Sequence, residues 1–357
     1  MIMKTVCVLF GGKSSEYEVS LSSAHAVLSN IDTAKYDVIR IGITKEDGRF
    51  YRYDGGLEEI RDGSWCADRT KLCGVTLSLT DGRLDFRPNA DGYAPEPVVP
   101  DVVFPVLHGR FGEDGTVQGM FAVAGIPVVG CDCTSSGVCM DKALTKAVIS
   151  ADTTIRQAEC VVARLGDDAE SLRAKCESAF GYPMFVKPCR AGSSVGVTKV
   201  KDAGTFAAAL ERAFREDDKL LIERAVRGRE IEVAVLEEHG AYTVAIPAEI
   251  DLGGSEFYDY DTKYVSDCSS FYLPARLTEA ETAEVRRMAL EVFRALGCRV
   301  FARVDFFIED GRFIFNEINT IPGFTPISMY PKMMIHYGIP YAALIDRMIA
   351  ASIQKAL

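Results

Sequence analysis

Arg303 and Asp305 stand two residues apart in an apolar run, and Asn316-Glu317-Ile318-Asn319-Thr320 follows the turn at Glu309 to Gly311. Both runs have β-strand character, and alternate residues of a strand share a face. Glu317 and Asn319 therefore point the same way, and a hairpin at Glu309 to Gly311 brings Asp305 opposite them. Three hard oxygen donors would then converge. Such a set suits Mg²⁺, which keeps room for water and phosphate oxygens. The competing reading is a group of solvated polar residues at strand ends, which fits each residue taken singly.

Other segments offer groups for phosphate and for a small charged ligand. Lys142 and Lys187 could neutralise phosphates, and the backbone N–H groups of Gly192-Ser193-Ser194 could cradle them. Lysines are mostly exposed and solvated, so either alone says little. The Gly/Ser loop lacks the G-x-x-x-x-G-K-[ST] spacing, and Gly11-Gly12 lacks G-x-G-x-x-G, which disfavours a P-loop or a Rossmann dinucleotide site. Glu16 lies just past the first glycine turn, at a strand's carboxyl end, where open α/β sheets carry ligand contacts. His108 holds a similar strand end before Gly109, although a satisfied turn histidine explains it equally well. Asp251 to Ser270 gathers Phe257, Tyr258, Tyr260, Lys263 and Tyr264 in a loop too long for an idle connection. Large apolar area with polar tips reads as a lid that excludes water, or else as a partner-binding patch.

The elements that must position these groups alternate. Lys4 to Phe10 reads as a strand, Ser20 to Leu28 as a helix, Tyr36 to Ile43 and Asp101 to Leu107 as strands, and Gly119 to Ala124 as a helix before a strand at Ile126 to Val129. That pattern predicts an open parallel-sheet domain over residues 1–130. Helices at Asp141 to Ser150 and Asp168 to Phe180 accompany strands at Pro183 to Lys187, Gly196 to Lys199 and Leu220 to Glu223, a smaller unit over 131–223. The remainder, 224–357, has strands at Glu230 to Leu236, Tyr242 to Glu249, Val300 to Ile308 and Arg312 to Glu317, a helix at Glu279 to Leu296, and the lid loop at 251–270. The fold class is α/β (α+β), without internal repeats or low-complexity segments.

Composition bounds the function. Over 357 residues the chain is 48% hydrophobic and 25% charged, the profile of a compact protein of two or three domains. A net charge of -11 argues against broad adhesion to nucleic acid or anionic membrane, since both reward a basic surface. Apolar runs such as Val6 to Phe10 fall far short of the roughly 20 residues of a spanning helix. The first strand shows no signal-peptide cleavage pattern, so a cytoplasmic location is expected. The eleven cysteines, scattered singly as at Cys7, Cys160 and Cys298, suit reduced thiols used as small hydrophobes. Cys131, Cys133 and Cys139 cluster without a nearby histidine and do not match structural zinc spacing.

Seven motifs occur in one order: Gly11-Gly12-Lys-Ser-Ser-Glu16-Tyr-Glu-Val-Ser20, Leu107-His108-Gly109, Met140-Asp-Lys142, Phe185-Val-Lys187-Pro188, Gly192-Ser193-Ser194-Val-Gly196, Phe257-Tyr258-Asp-Tyr260-x-x-Lys263-Tyr264, and Arg303-Val-Asp305 with Asn316 to Gly323. Together they resemble the ATP-grasp D-alanine:D-alanine ligase family, including its D-Ala-D-Ser glycopeptide-resistance relatives. The resemblance spans essentially the whole chain. It implies a three-domain ATP-grasp fold, often homodimeric, that uses ATP and two Mg²⁺ (Mn²⁺ able to substitute) to make D-alanyl-D-alanine for peptidoglycan through a D-alanyl phosphate.

The same resemblance assigns roles. Glu16 would anchor the first substrate's ammonium group, linked through Ser193 to Tyr264 of the lid, with His108 in the first subsite. Lys142, Lys187 and the Ser194 loop would hold phosphates, Glu223 and Glu230 the adenine and ribose, and Lys263 the transferring phosphate. Asp305, Glu317 and Asn319 would hold the metal, while Arg303 and the Gly323 N–H would stabilise the oxyanion. Glu18 is the rival to Glu16, but the spacing from Gly12 favours Glu16. Ser328, Met329, Tyr258 and Tyr260 would shape the second subsite. Phe104 to Met140 also looks like the D-Ala-D-Ser enzymes, whereas Ser328-Met329-Tyr330 and Phe257-Tyr258-Asp259-Tyr260 are of the D-Ala type. Lys263-Tyr264 argues against a D-lactate ligase, and Ala191 departs from members with Glu there. From another class, a non-catalytic ATP-binding regulator would keep the scaffold, and a carboxylase subunit is a weaker rival.

Overall fold

The computed structural model describes residues 3–251 and 270–353. Val6 to Phe10 is wholly buried, as expected of a strand covered on both faces, and it forms the heart of β1 (Lys4–Gly11). The strands β2 (Tyr36–Ile43), β3 (Phe50–Tyr53), β4 (Leu72–Leu77), β5 (Leu84–Arg87) and β6 (Val102–Pro105) complete a sheet of order β5-β4-β3-β2-β1-β6. β1 is parallel to both β2 and β6. This expected parallel centre is extended on one side by three antiparallel strands. Connection length accounts for the difference. The helix α1 (Tyr17–Asn30) supplies a crossover between β1 and β2, whereas a short turn after Ile43 permits only an antiparallel return. The helices α2 (Leu57–Arg61) and α3 (Thr116–Val123) complete this part, and Val128 makes a single parallel bridge to Val103 where a full strand was predicted.

Two aspartates then set consecutive helices. Asp132 caps α4 (Cys133–Met140) through Ser135 N, and Asp141 caps α5 (Lys142–Asp152) through Ala143 N and Leu144 N, both 3.1 Å away. Lys219 Nζ lies 2.9 Å from both Asp141 oxygens, so the cap also pins α5, and Lys142 with it, to the next sheet. That sheet holds β7 (Cys160–Arg164), β8 (Met184–Pro188), β9 (Thr198–Val200) and β10 (Lys219–Arg224) in the antiparallel order β7-β10-β8-β9. The helices α6 (Ala169–Ala179) and α7 (Ala203–Phe214) close a core containing Val186, Phe206 and Ile222. Cys160, expected as a buried hydrophobe, is exposed: it falls on the outward phase of edge strand β7.

The last sheet contains β11 (Arg229–Glu238), β12 (Ala241–Val244), β13 (Ala248–Asp251), β14 (Ser270–Tyr272), β15 (Phe301–Glu309) and β16 (Arg312–Asn319), in the order β14-β13-β11-β15-β16 with β12 also on β11. The single strand expected over Tyr242 to Glu249 is split around Pro247, which has no N–H to give a ladder. A Thr278/Glu281 capping box starts α8 (Glu279–Ala295), whose Val285, Met288, Val292 and Phe293 face the sheet. The helices α9 (Met329–Tyr337) and α10 (Tyr341–Ile353) return to the N-terminal sheet and share a core with Phe104, Val27 and Val6. Phe301, Phe324 and Tyr330 stack there with ring centroids 5.5 to 5.8 Å apart, directly beside the Pro322-Gly323 loop. No described helix is long and apolar enough to cross a membrane.

Candidate active site

Two adjoining clefts open where the three sheets meet. One is bordered by Glu16, His108, Ser193, Arg303, Asn319, Gly323, Ser328 and Met329, and the other by Lys187, Ser194, Glu223 and Glu230. Lys142 and Glu317 border both. Of the sequence-predicted site residues, Asp305 is buried just behind them, and Tyr258, Tyr260, Lys263 and Tyr264, with Phe257, lie outside the described residues.

The β15–β16 hairpin sets Asp305 opposite Glu317 and Arg303 opposite Asn319. Arg303 grips Asp305 with two parallel bonds, Nε to Oδ1 at 2.8 Å and Nη2 to Oδ2 at 2.7 Å, and Asn319 Nδ2 donates to Oδ2 at 2.9 Å. Burial alone would weaken the guanidinium's hold on its proton, but Asp305 and Glu232 outweigh it and keep Arg303 charged. Glu230, Glu232 and Asp305 place carboxylate oxygens within 4.8 Å of one another. Asp305 and Asn319 are thus in direct contact, and Glu317 faces the clefts from the paired position.

In the second cleft, Glu223 carries two ammonium groups. Lys187 pairs with its Oε1, and Lys146 Nζ lies 3.1 Å from Oε2. Burial pushes the Glu223 pKa up, but the two lysines more than reverse this and hold it at about 2. Lys142 Nζ donates to Ala191 O at 2.8 Å and stands 3.9 Å from Glu317. Phe185, Val226 and Phe307 give this cleft an apolar end suited to a flat ring. Ser193 and Ser194 both have left-handed φ, 47° and 59°, a strained pair in the turn between β8 and β9.

Glu16 is buried at the mouth of α1, and Ser193 Oγ donates to its Oε1 across 177 residues of sequence. Its Oε2 has no hydrogen-bond partner among the described residues. A Cβ at Gly192 would lie 2.8 Å from that oxygen, and one at Gly109 would overlap it, so glycine at both positions makes room for the buried carboxylate. Glu18, its rival, is exposed and pairs with Lys45. His108 reaches the cleft with both ring nitrogens engaged: Nδ1 at 2.9 Å from Ile321 O and Nε2 at 3.0 Å from Ser23 Oγ. A carbonyl at Nδ1 fixes the proton there, and burial lowers the ring's pKa, leaving a neutral imidazole. Ser328 Oγ would meet a Cβ on Gly323 at 2.7 Å, which keeps that loop tight against α9.

Residues 5–131 match the family model "D-ala D-ala ligase N-terminus" and residues 150–350 match "D-ala D-ala ligase C-terminus". The chain belongs to the D-alanine–D-alanine ligase family. It is 45% identical to the D-alanine–D-alanine ligase of Acetivibrio thermocellus over 99% of this chain and 96% of that relative. With the ligase of Caldicellulosiruptor bescii the identity is 43% over 98% of this chain and 95% of the other. Among solved structures, the VanG D-Ala:D-Ser ligase from Enterococcus faecalis superposes with a TM-score of 0.88 at 41% identity, over 98% of this chain and 99% of that one. The D-alanine-D-alanine ligase from Coxiella burnetii gives 0.86 at 32%, over 100% and 95%. The mixed α/β fold is therefore that of the ATP-grasp D-alanine–D-alanine ligases, enzymes that use ATP.

Three acidic or basic residues of this ligase-family site escaped the sequence reading. Glu232 follows Glu230 by two, so it shares that strand face, and that spacing was the available signal. Lys146 stands one helical turn beyond Lys142 and could have been found by that spacing. Glu113 sits in a glycine-rich turn and accepts from Gly109 N at 2.8 Å and Ile321 N at 3.1 Å. Enclosure of its carboxyl, with the Glu16 carboxylate nearby, pushes its pKa up to about 8.

Proposed function

We propose that this chain uses ATP to join two D-alanines into D-alanyl-D-alanine for peptidoglycan synthesis. The observation that carries the reading is Glu16, a buried carboxylate that borders one cleft and whose Oε2 has no hydrogen-bond partner among the described residues, beside Lys142 and Glu317, which lead into the second cleft with Lys187 and Ser194. A carboxylate so placed is costly unless a cation meets it, and an amino acid's ammonium group supplies one.

The first D-alanine's carboxylate attacks the γ-phosphorus of ATP, forming D-alanyl phosphate and releasing ADP. Glu16, held by Ser193, fixes the ammonium group, while Lys142 and Lys187 neutralise phosphate oxygens. The second D-alanine's neutral amine then attacks the acyl carbon, the acyl C–O bond to phosphate breaks, and the departing inorganic phosphate takes up the proton that the amine loses as the amide forms. Arg303 and the Gly323 N–H hold the transient oxyanion. Lys263, assigned by resemblance to the transferring phosphate, Tyr264, assigned to the link with Glu16 through Ser193, and Tyr258 and Tyr260, assigned to the second subsite, lie outside the described residues. No covalent nucleophile is required, so positioning and charge stabilisation supply the rate.

Asp305, Glu317 and Asn319 fit two Mg²⁺ by chemistry: Glu317 borders both clefts, Asn319 borders one, and Asp305 is buried behind them, paired across the hairpin with Glu317. Magnesium bound there neutralises the charge developing during phosphoryl transfer. Asp305 would share its carboxylate between Arg303 and the metal. The same reading includes a homodimer in the cytoplasm, checked by light scattering and by fractionation.

The likeness to VanG favours a second reading, D-Ala-D-Ser synthesis. Ser328 and Met329, which border the substrate cleft, are of the D-Ala type. Incubation with ATP, Mg²⁺, D-Ala and D-Ser at neutral pH, with products identified by mass, separates the two. D-Ala-D-Ala as the main product is expected; mainly D-Ala-D-Ser would transfer the chain to the second reading. No D-Ala-dependent ADP release would exclude both and leave a non-catalytic nucleotide-binding protein.

A further inference from the structure

Lys146 is enclosed, with its side chain 8% exposed, and it does not border the nucleotide cleft. Its Nζ sits 3.1 Å from Glu223 Oε2 and donates to Ala158 O at 3.2 Å. A buried lysine needs a partner, and here the partner is a carboxylate whose other oxygen already holds Lys187. Of the two lysines, Lys187 alone borders the cleft. When phosphates arrive, Lys187 is drawn toward them and Glu223 loses part of its compensation. A buried carboxylate left without a cation takes up a proton.

We propose that Lys146 is a positioning residue for nucleotide choice: it stays on Oε2 so that Glu223 remains a fixed carboxylate, with Oε1 aimed into the cleft, after Lys187 turns to phosphate. This rests on reading Glu223 as the contact to the purine's 6-position. Phe185, Val226 and Phe307 shape the flat apolar slot beside it. A carboxylate only accepts, so it takes the 6-amino hydrogen of adenine and repels a 6-oxo purine. A carboxylic acid or an amide can also donate, and so tolerates the oxo group. Lys146 therefore acts on base selectivity without touching the base.

Steady-state rates with ATP and with inosine triphosphate test this in the wild type, Lys146→Met, Lys146→Arg and Glu223→Gln, with thermal melts alongside. For Lys146→Met, the KM for ATP is expected to rise about tenfold, the ATP-to-ITP ratio of kcat/KM to fall by a similar factor, and kcat to change less. Lys146→Arg restores most of both. Where Lys146→Met melts too low to assay, the double variant Lys146→Met/Glu223→Gln removes both charges of the pair. It is expected to show the ratio of Glu223→Gln alone, since Lys146 works through that carboxylate. A ratio unchanged by Lys146→Met but narrowed by Glu223→Gln overturns the role of Lys146 and leaves the base contact standing. A ratio unchanged by Glu223→Gln overturns the base contact itself.

Discussion

Arg303 reaches the cleft with its guanidinium plane already set by two bonds to Asp305. A fork so held presents its remaining N–H groups in a fixed direction, which a flexible ammonium group does not. Arg303→Lys is therefore expected to lower kcat by about a hundredfold or more while the Kd for ATP, read by equilibrium binding, stays within about twofold. Near-normal turnover by the folded variant would remove Arg303 from the oxyanion role. Arg303→Ala should abolish dipeptide synthesis, and it should also melt earlier, because it strands a buried carboxylate at a cost of about 3–5 kcal/mol. Glu113 gives a pH signature of opposite sign from most acids. Its pKa is raised in the fold from the ordinary 4.5 to about 8, so it holds its proton more tightly folded than unfolded. The stability this confers is complete below about 4.5 and is lost as pH rises toward 8. Melting curves from pH 4.5 to 8 should show that decline in the wild type and a flatter profile in Glu113→Gln; equal slopes would assign the titration elsewhere.

The hairpin that carries Arg303, Asp305, Glu317 and Asn319 was legible because period-two alternation and one glycine turn define both its strands and its pairing. The β1–α1 unit was legible for a similar reason: an unbroken apolar strand, two glycines, then helix. The antiparallel strands β3, β4 and β5 were not, since each is short and mixes polar residues with apolar ones, and each takes its register from the strand before it. Nor did spacing reveal that Glu113, which comes from the N-terminal part, would bond to Ile321 N some 208 residues away. Such partners are set by packing between elements. Gly42 in β2 is a case of that kind, because a Cβ there would run into the buried Trp65 ring. Gly42→Ala should cost about 1–3 kcal/mol by overpacking, seen as a lower Tm, and leave the KM for D-Ala unchanged. An unshifted Tm would mean that the indole has room to move.

Each sheet contributes one side of the cleft bordered by Glu16: Glu16 follows β1, Ser193 comes from the turn between β8 and β9, and Arg303 lies on β15. The outer two are joined by a continuous core, for α10 returns to the first sheet and Asp346 accepts from Tyr36 Oη at 2.5 Å. The central sheet has no comparable share in that core; its own cluster is separate. The Ser193 to Glu16 bond is thus a direct polar tie between the first and central sheets, made at the site where the ammonium group would sit. Loss of this bond should be felt by the amino acid more than by the nucleotide. Ser193→Ala is expected to raise the KM for the first D-Ala about tenfold, equivalent to the loss of one hydrogen bond to a charged group. ATP should still raise the Tm of the variant by its usual increment, because linkage depends only on nucleotide affinity, while the increment from D-Ala should shrink. If instead both increments fall together, Ser193 serves the glycine-rich loop's grip on phosphate, and the first-subsite carboxylate must be held by some other group.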